Sequence, residues 1–253
     1  MTAPVLVDRH DTATAVVTLN RSDKRNALTI DMMNALCQQL ESLASDAGRR
    51  VVVVRGAGAV FCAGLDLAEA ADQGLSEQSA QAVARTLQSV MESPLIVIAA
   101  AHGAAYAGGA GLMCACDLVV AADDLRICFP EVRRGLVPAL ISAVIREQVG
   151  GADLRELLLL AEPIDARRAR QLGLVHRVVS PKRVVEEALG VAELVLQGAP
   201  DAVRTTKQLL RGARGARISE LLQQGLRVHR RSRGTGEAAE GIRAFHERRD
   251  PKW

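Results

Sequence analysis

Apolar positions along this chain follow two periods, and the switch between them predicts the elements. Residues 4–9 (around VLVDR) and TAVVTL (14–19) are short, rich in β-branched residues and separated by a polar turn, which predicts two strands. From Thr29, a residue suited to cap a helix, Ile30, Met33, Leu36, Cys37, Leu40 and Leu43 recur at helical spacing. VVVVRG (51–56) and LIVIAAAHG (95–103) are unbroken apolar runs, as expected of strands covered on both faces. Between them a helix is predicted over about 76–92, with Val83, Leu87, Val90 and Met91 on one face and Ser93-Pro94 as its stop. DLVVAAD and RICF read as further short strands. Strands and helices in this alternation predict an α/β fold. Beyond Pro138 the pattern becomes almost wholly helical, ending in two or three amphipathic helices between 200 and 247. That last part is too thin to bury a core of its own, so it is expected to pack on the main body or on a neighbour.

Composition narrows the class. At 253 residues and 49% hydrophobic, with only five aromatic residues, the core must be built from Ala, Val, Leu and Ile. No apolar run approaches the roughly 20 residues needed to cross a bilayer. The first residues carry no signal-peptide pattern, so a cytoplasmic location is expected. Five cysteines (37, 62, 114, 116 and 128) lack the partners for a zinc site and are read as small buried residues. The net charge of +3 is uneven: residues 204–253 hold 13 Lys/Arg against 5 Asp/Glu, and residues 1–203 hold 19 against 24. A basic tail of this kind suits a solvated face, an anionic ligand or a neighbouring subunit. It carries too few aromatic residues for RNA base stacking.

Several sites are absent: a phosphate loop ending in Gly-Lys-Ser/Thr, a Gly-x-Ser-x-Gly elbow, and a His-Glu-x-x-His pair. The spacing of AYAGGAGL also fails the dinucleotide pattern. Two glycine-bearing turns remain, each following an apolar strand: Cys62-Ala63-Gly64-Leu65-Asp66-Leu67, and His102-Gly103 leading to Ala107-Gly108-Gly109-Ala110-Gly111. Glycine lets a backbone approach a ligand closely, and a helix start leaves N–H groups without internal partners. Singly, each turn is adequately explained by tight strand–helix packing. Two such donors converging on one oxygen would form an oxyanion hole.

Together with NRSDKRNAL, FCAGLDL, HGAAYAGGAGL, CDLVVAADD, FPEVRRGLVP and ARQLGLVHRVV, these turns resemble the crotonase (enoyl-CoA hydratase/isomerase) superfamily over nearly the whole chain. The resemblance implies a spiral of β-β-α units as the catalytic core, residues 1–195, and a helical oligomerisation region, residues 196–253. It implies a homotrimer or a dimer of trimers, an acyl-CoA substrate, no cofactor beyond the coenzyme A of that substrate, no metal and no nucleic acid. The two oxyanion N–H groups fall on Leu65 and Gly108. Ala107 stands where the family usually has glycine. The two glutamates used by family hydratases fall on Gly111 and Glu131, so only Glu131 is retained as acid/base. The position of a further acid in dienoyl-CoA isomerases falls near Ala139 and is also empty.

Coenzyme A contacts are implied for Lys24, Arg25, Ala27, Ala63, Gly64, Leu65, Asp66, Leu67, Ala68 and Gly108, with Phe245 closing the pocket and Arg248 reaching a phosphate from a neighbouring subunit. Arg133 and Arg134 could meet a substrate carboxylate but are read as surface residues. Likeness favours a 2-enoyl-CoA hydratase, a lone carboxylate favours a Δ3/Δ2-enoyl-CoA isomerase, and the missing glutamate leaves a non-catalytic CoA-thioester binder as a third reading.

Overall fold

The computed structural model describes residues 3–66, 68, 69, 72 and 74–253, without the side chains of residues 213, 214 and 216. Its strands are β1 (Val5–Asp8), β2 (Thr14–Leu19), β3 (Val51–Gly56), β4 (Ile96–Ala101), β5 (Ala104–Tyr106), β6 (Leu118–Ala122), β7 (Arg126–Cys128), β8 (Ile164–Asp165) and β9 (Arg177–Val179). The longer helices are α1 (Ile30–Ser45), α2 (Ser76–Glu92), α3 (Gly108–Ala115), α4 (Ala139–Ile145), α5 (Gly151–Arg155), α6 (Ala166–Gln171), α7 (Val184–Leu196), α8 (Pro200–Arg233, broken at Gly212) and α9 (Gly236–Glu247).

Six strands form one sheet in the order β1-β2-β3-β4-β6-β9, antiparallel at β1/β2 and parallel elsewhere. The period-2 alternation of strands sorts the apolar runs into two cores. Val52, Val54, Val97 and Ala99 face the main core, shared with Leu36 and Leu40 of α1 and Val83 and Leu87 of α2. Val51, Val53, Ile96 and Ile98 face the other side, where Val184, Ala188 and Val191 of α7 cover them. This double covering is why VVVVRG shows no polar alternation. At the start of α1, Thr29 Oγ1 accepts from the Met32 N–H at 3.2 Å, as the capping reading requires.

A second layer, β5-β7-β8, stands beside the main sheet and positions the candidate site. It is extended by two isolated parallel bridges, Cys62 to Ala105 and Leu28 to Leu65. β5, β8 and β9 are two or three residues long, too short to show a period, and sequence patterning does not find them. The almost wholly helical reading beyond Pro138 is corrected by β8 and β9. All five cysteines are buried. The Cys62 thiol donates to the Asn26 carbonyl at 3.1 Å, and burial pushes its pKa up to about 12.

Candidate active site

β3 and β4 are parallel neighbours, so the segments that follow them leave the sheet at the same edge. This is where ligands bind in open α/β sheets. The first segment is held by an unusual loop. Arg25 and Asn26 both take left-handed backbone conformations (φ 53 and 54), stabilised by the fully buried Asn26 side chain. Its amide accepts from the Arg21 N–H and donates to the carbonyls of Ala57 and Val60. Residues 63–66 then zip against residues 25–28: Ala63 N–H donates to Arg25 O, Leu28 N–H to Gly64 O, and Asp66 N–H to Leu28 O. Arg21 clasps the pair by donating to Ala27 O at 2.6 Å and to the Asp66 carboxylate at 3.1 Å.

This pairing aims the Leu65 amide. In a parallel bridge, a residue whose two neighbours bond to the facing strand turns its own N–H the other way. Leu65 is such a residue, bonded through its neighbours Gly64 and Asp66 to Leu28. A Cβ built on Gly108 would stand 3.8 Å from the Leu65 nitrogen, so the two backbones adjoin closely. Gly108 is the first residue of α3, where N–H groups have no helical acceptor and the helix dipole favours negative charge. Among the described residues, neither the Leu65 nor the Gly108 N–H is engaged in a turn, loop or cap hydrogen bond. Ala107, just before it, has φ 48 and ψ −123, a conformation that ordinarily requires glycine.

Leu65 and Gly108 both line one narrow cavity together with Glu131. Glu131 opens the short 3₁₀ turn Glu131–Arg134 and is 8% exposed. Its Oε2 is buried without a hydrogen-bond partner among the described residues. Burial pushes its pKa up to about 7, opposed by its own backbone N–H and by the Arg134 charge. Gly111 stands where a second glutamate is expected by resemblance, and a side chain there would crowd Ile141. A Cβ there would sit 3.1 Å from Ile141 Cγ1 and 3.7 Å from Leu87 Cδ2, so Ile141 would have to move by a few tenths of an ångström to admit one.

Arg134, His229 and Arg233 also line the cavity, and sequence reading assigned none of them there. Arg133 is exposed and donates to Leu160 O, as read, but the surface reading of Arg134 is corrected: it is half-buried at the cavity wall. His229 and Arg233 lie one helical turn apart in α8, the only sequence signal that could have paired them. Phe245 does not reach the cavity lining; it stacks against the guanidinium of Arg134, 4.5 Å from the ring centroid. Arg248 is exposed just past α9, and Lys24 and Arg25 are exposed beside the Ala63–Asp66 segment. Ala68 is described and exposed; Leu67 lies outside the described residues.

A largely parallel sheet with a second strand layer places Leu65, Gly108 and the buried Glu131 around one cavity at the sheet edge. The chain belongs to the enoyl-CoA hydratase/isomerase family, whose model matches residues 9–253. It is 39% identical over 244 residues to a Thermus thermophilus protein named provisionally as an enoyl-CoA hydratase, covering 94% of this chain and 96% of that one. It is 34% identical to the 2,3-dehydroadipyl-CoA hydratase of Escherichia coli, covering 93% of each. The crystal structure of an enoyl-CoA hydratase from Mycobacterium avium matches with a TM-score of 0.89 and 32% identity over 100% of both chains. The protein is therefore an enzyme with the crotonase fold.

Proposed function

We propose that this enzyme hydrates a 2-enoyl-CoA thioester, with Leu65 and Gly108 N–H groups holding the thioester oxygen and Glu131 as its acid/base. The observation that carries the reading is that Leu65, Gly108 and the buried Glu131 line a single cavity. Water oriented by ionised Glu131 gives its proton to the carboxylate while its oxygen bonds to C3. The double-bond electrons move to C2 and onto the thioester oxygen, making an enolate. Pre-aimed amides stabilise that oxygen more than the ground-state carbonyl, which lowers the barrier. Glu131 then returns the proton to C2, so one molecule of water is added and the carboxylate is regenerated.

A second reading, Δ3-to-Δ2 isomerisation, is favoured by the lone carboxylate, since one base can take a proton from C2 and return it at C4. The names of the relatives favour hydration. Coenzyme A belongs to the substrate, and no separate cofactor is invoked. Lys24, Arg25, Ala27, Ala63, Gly64, Asp66, Leu67 and Ala68 are proposed to line the pantetheine and nucleotide, with Arg248 offered to a phosphate. We assign catalysis to residues 1–195 and assembly into a trimer or a pair of trimers to residues 196–253. The exposed Leu209 and Leu210 of α8 support that assembly. Among the described residues no helix is long and apolar enough to cross a membrane, and a cytoplasmic location is proposed.

The test is turnover of 2-enoyl-CoA and 3-enoyl-CoA thioesters by the native enzyme and by Glu131→Gln. Hydration that falls by about 10²–10⁴ in the variant is the expected result. Double-bond migration without hydration would select the isomerase, and turnover indifferent to the substitution would remove Glu131 from the mechanism.

A further inference from the structure

Four helices that line the candidate site also line a second cavity. α2 gives Val83 to the first and Met91 to the second, α3 gives Gly108 and Cys114, α4 gives Ile141 and Val144, and α8 gives His229 and Leu222. The two cavities therefore stand at opposite ends of one interhelical seam. They differ greatly in size, about 60 Å³ beside Glu131 against about 610 Å³ at the far end. The far cavity has a largely apolar wall that includes Ile96, Leu118 and Ile218. With a rise of about 1.5 Å per residue, Ile141 and Val144 are about one helical turn apart, so the partition between the cavities is thin.

That partition is a layer of two side chains resting on a bare backbone. Leu87 and Ile141, both buried, meet over Gly111, where a Cβ would lie 3.7 Å from Leu87 Cδ2 and 3.1 Å from Ile141 Cγ1. α8 approaches α4 closely on the remaining side: a Cβ on Gly225 would lie 3.0 Å from the Ala139 carbonyl oxygen. On the near side of the layer, Ala80, Val83, Leu140 and Ile141 form the buried part of the wall of the first cavity, while Val137 at its rim is 42% exposed. A hydrocarbon chain gains most by lying along the buried apolar part, and the rest of the wall carries Arg134 and His229, which methylene groups would desolvate without return. That path runs from the Gly108 end of α3 to the layer over Gly111.

Resting on the acyl-CoA reading of this site, we infer that Ile141, backed by Leu87, sets the limit of acyl-chain length. The end of the chain is stopped at this layer, and the larger cavity behind it stays out of reach. Branched side chains packed at interior density yield little, and a methylene that an apolar pocket cannot admit is discriminated against by about ten- to two-hundredfold. Shortening Ile141 would join the site to an apolar space about ten times as large.

The experiment measures kcat/KM for straight-chain 2-enoyl-CoA thioesters of about four, six, eight and twelve carbons. It uses the native enzyme, Ile141→Ala, the milder Ile141→Val, and Leu36→Ala as a core truncation that lines neither cavity. Calorimetry on the saturated thioesters of the same lengths reads binding without turnover. In the native enzyme, kcat/KM and affinity are expected to fall at least tenfold between six and twelve carbons. The ratio of the longest to the shortest substrate should rise at least tenfold in Ile141→Ala and by a smaller factor in Ile141→Val, and stay native in Leu36→Ala. Adding Ser219→Trp, a half-buried position lining the far cavity, should reverse the gain of Ile141→Ala. Equal use of all lengths by the native enzyme, an unchanged profile in both Ile141 variants, or the same broadening in Leu36→Ala overturns the inference while leaving the hydratase intact. A gain that survives Ser219→Trp also overturns it, since the added length would then lie elsewhere. A length limit in binding that Ile141→Ala releases, with no turnover of any thioester, supports the inference and sinks the hydratase reading; no binding and no turnover sinks both.

Discussion

Glu131 has a raised pKa because it is buried with one oxygen unsatisfied, and that fact has two measurable consequences. If the ionised carboxylate activates water, kcat/KM for hydration rises with pH through an apparent pKa near 7 and levels off above it, a limb that Glu131→Gln lacks. The stability effect has a definite sign. Between its ordinary value of 4.5 and about 7 the folded state binds more protons than the unfolded one, so this carboxyl lowers stability as pH rises through that window. Glu131→Gln should therefore be more stable than the native protein at pH 8, by about 3 kcal/mol at most, with the difference vanishing below pH 4. Urea melts at the two pH values check this. Ala107 is the other residue under strain. Its backbone costs about 1–3 kcal/mol relative to a relaxed residue, so Ala107→Gly should raise the unfolding free energy by about 1 kcal/mol without loss of turnover.

Elements place these residues only where backbones come very close. A Cβ on Gly109 would overlap the Cys62 carbonyl and lie 2.7 Å from its Cβ, so α3 can sit against the first turn only with glycine there. Gly109→Ala is expected to cost about 1–3 kcal/mol by pushing the two segments apart, and to reduce kcat more than KM because the paired amides separate. The last helix does the same for Glu131. A Cβ on Gly241 of α9 would overlap the Arg134 backbone, and one on Gly135 would overlap that of Glu237. The turn that carries Glu131 is thus clamped by a helix more than a hundred residues further along the chain.

The whole molecule is closed by a charge buried between the sheet and α8. Lys207 Nζ donates to Leu95 O and to the Asp117 carboxylate, both at 2.7 Å, while Asp117 also accepts from the Val97 N–H. Replacing Lys207 with Met should destabilise by about 3 kcal/mol, because Asp117 would keep its burial and lose its counter-charge. Since α8 also carries His229 and Arg233, which line the cavity, this variant is expected to loosen that side of the cavity and weaken acyl binding, visible as a raised KM. The C-terminal helices therefore serve the cavity of their own chain, in addition to the assembly role proposed for them.

Local patterning determined much of this protein. The paired apolar runs of β3 and β4, the Thr29 cap, α2 over 76–92 and the burial of every cysteine follow from period, capping chemistry and the scarcity of polar partners. The order of the glycine turns was enough to indicate the family, from which Leu65, Gly108 and Glu131 follow as the proposed site residues. What lay beyond the sequence were relations between segments far apart in it. That Ile141 lies against Gly111, that Arg134 turns inward while Arg133 turns out, and that α8 returns His229 and Arg233 to the cavity are outcomes of packing. Period and spacing report which face of an element is apolar; only the assembled chain decides which distant backbone or side chain occupies the space that face leaves.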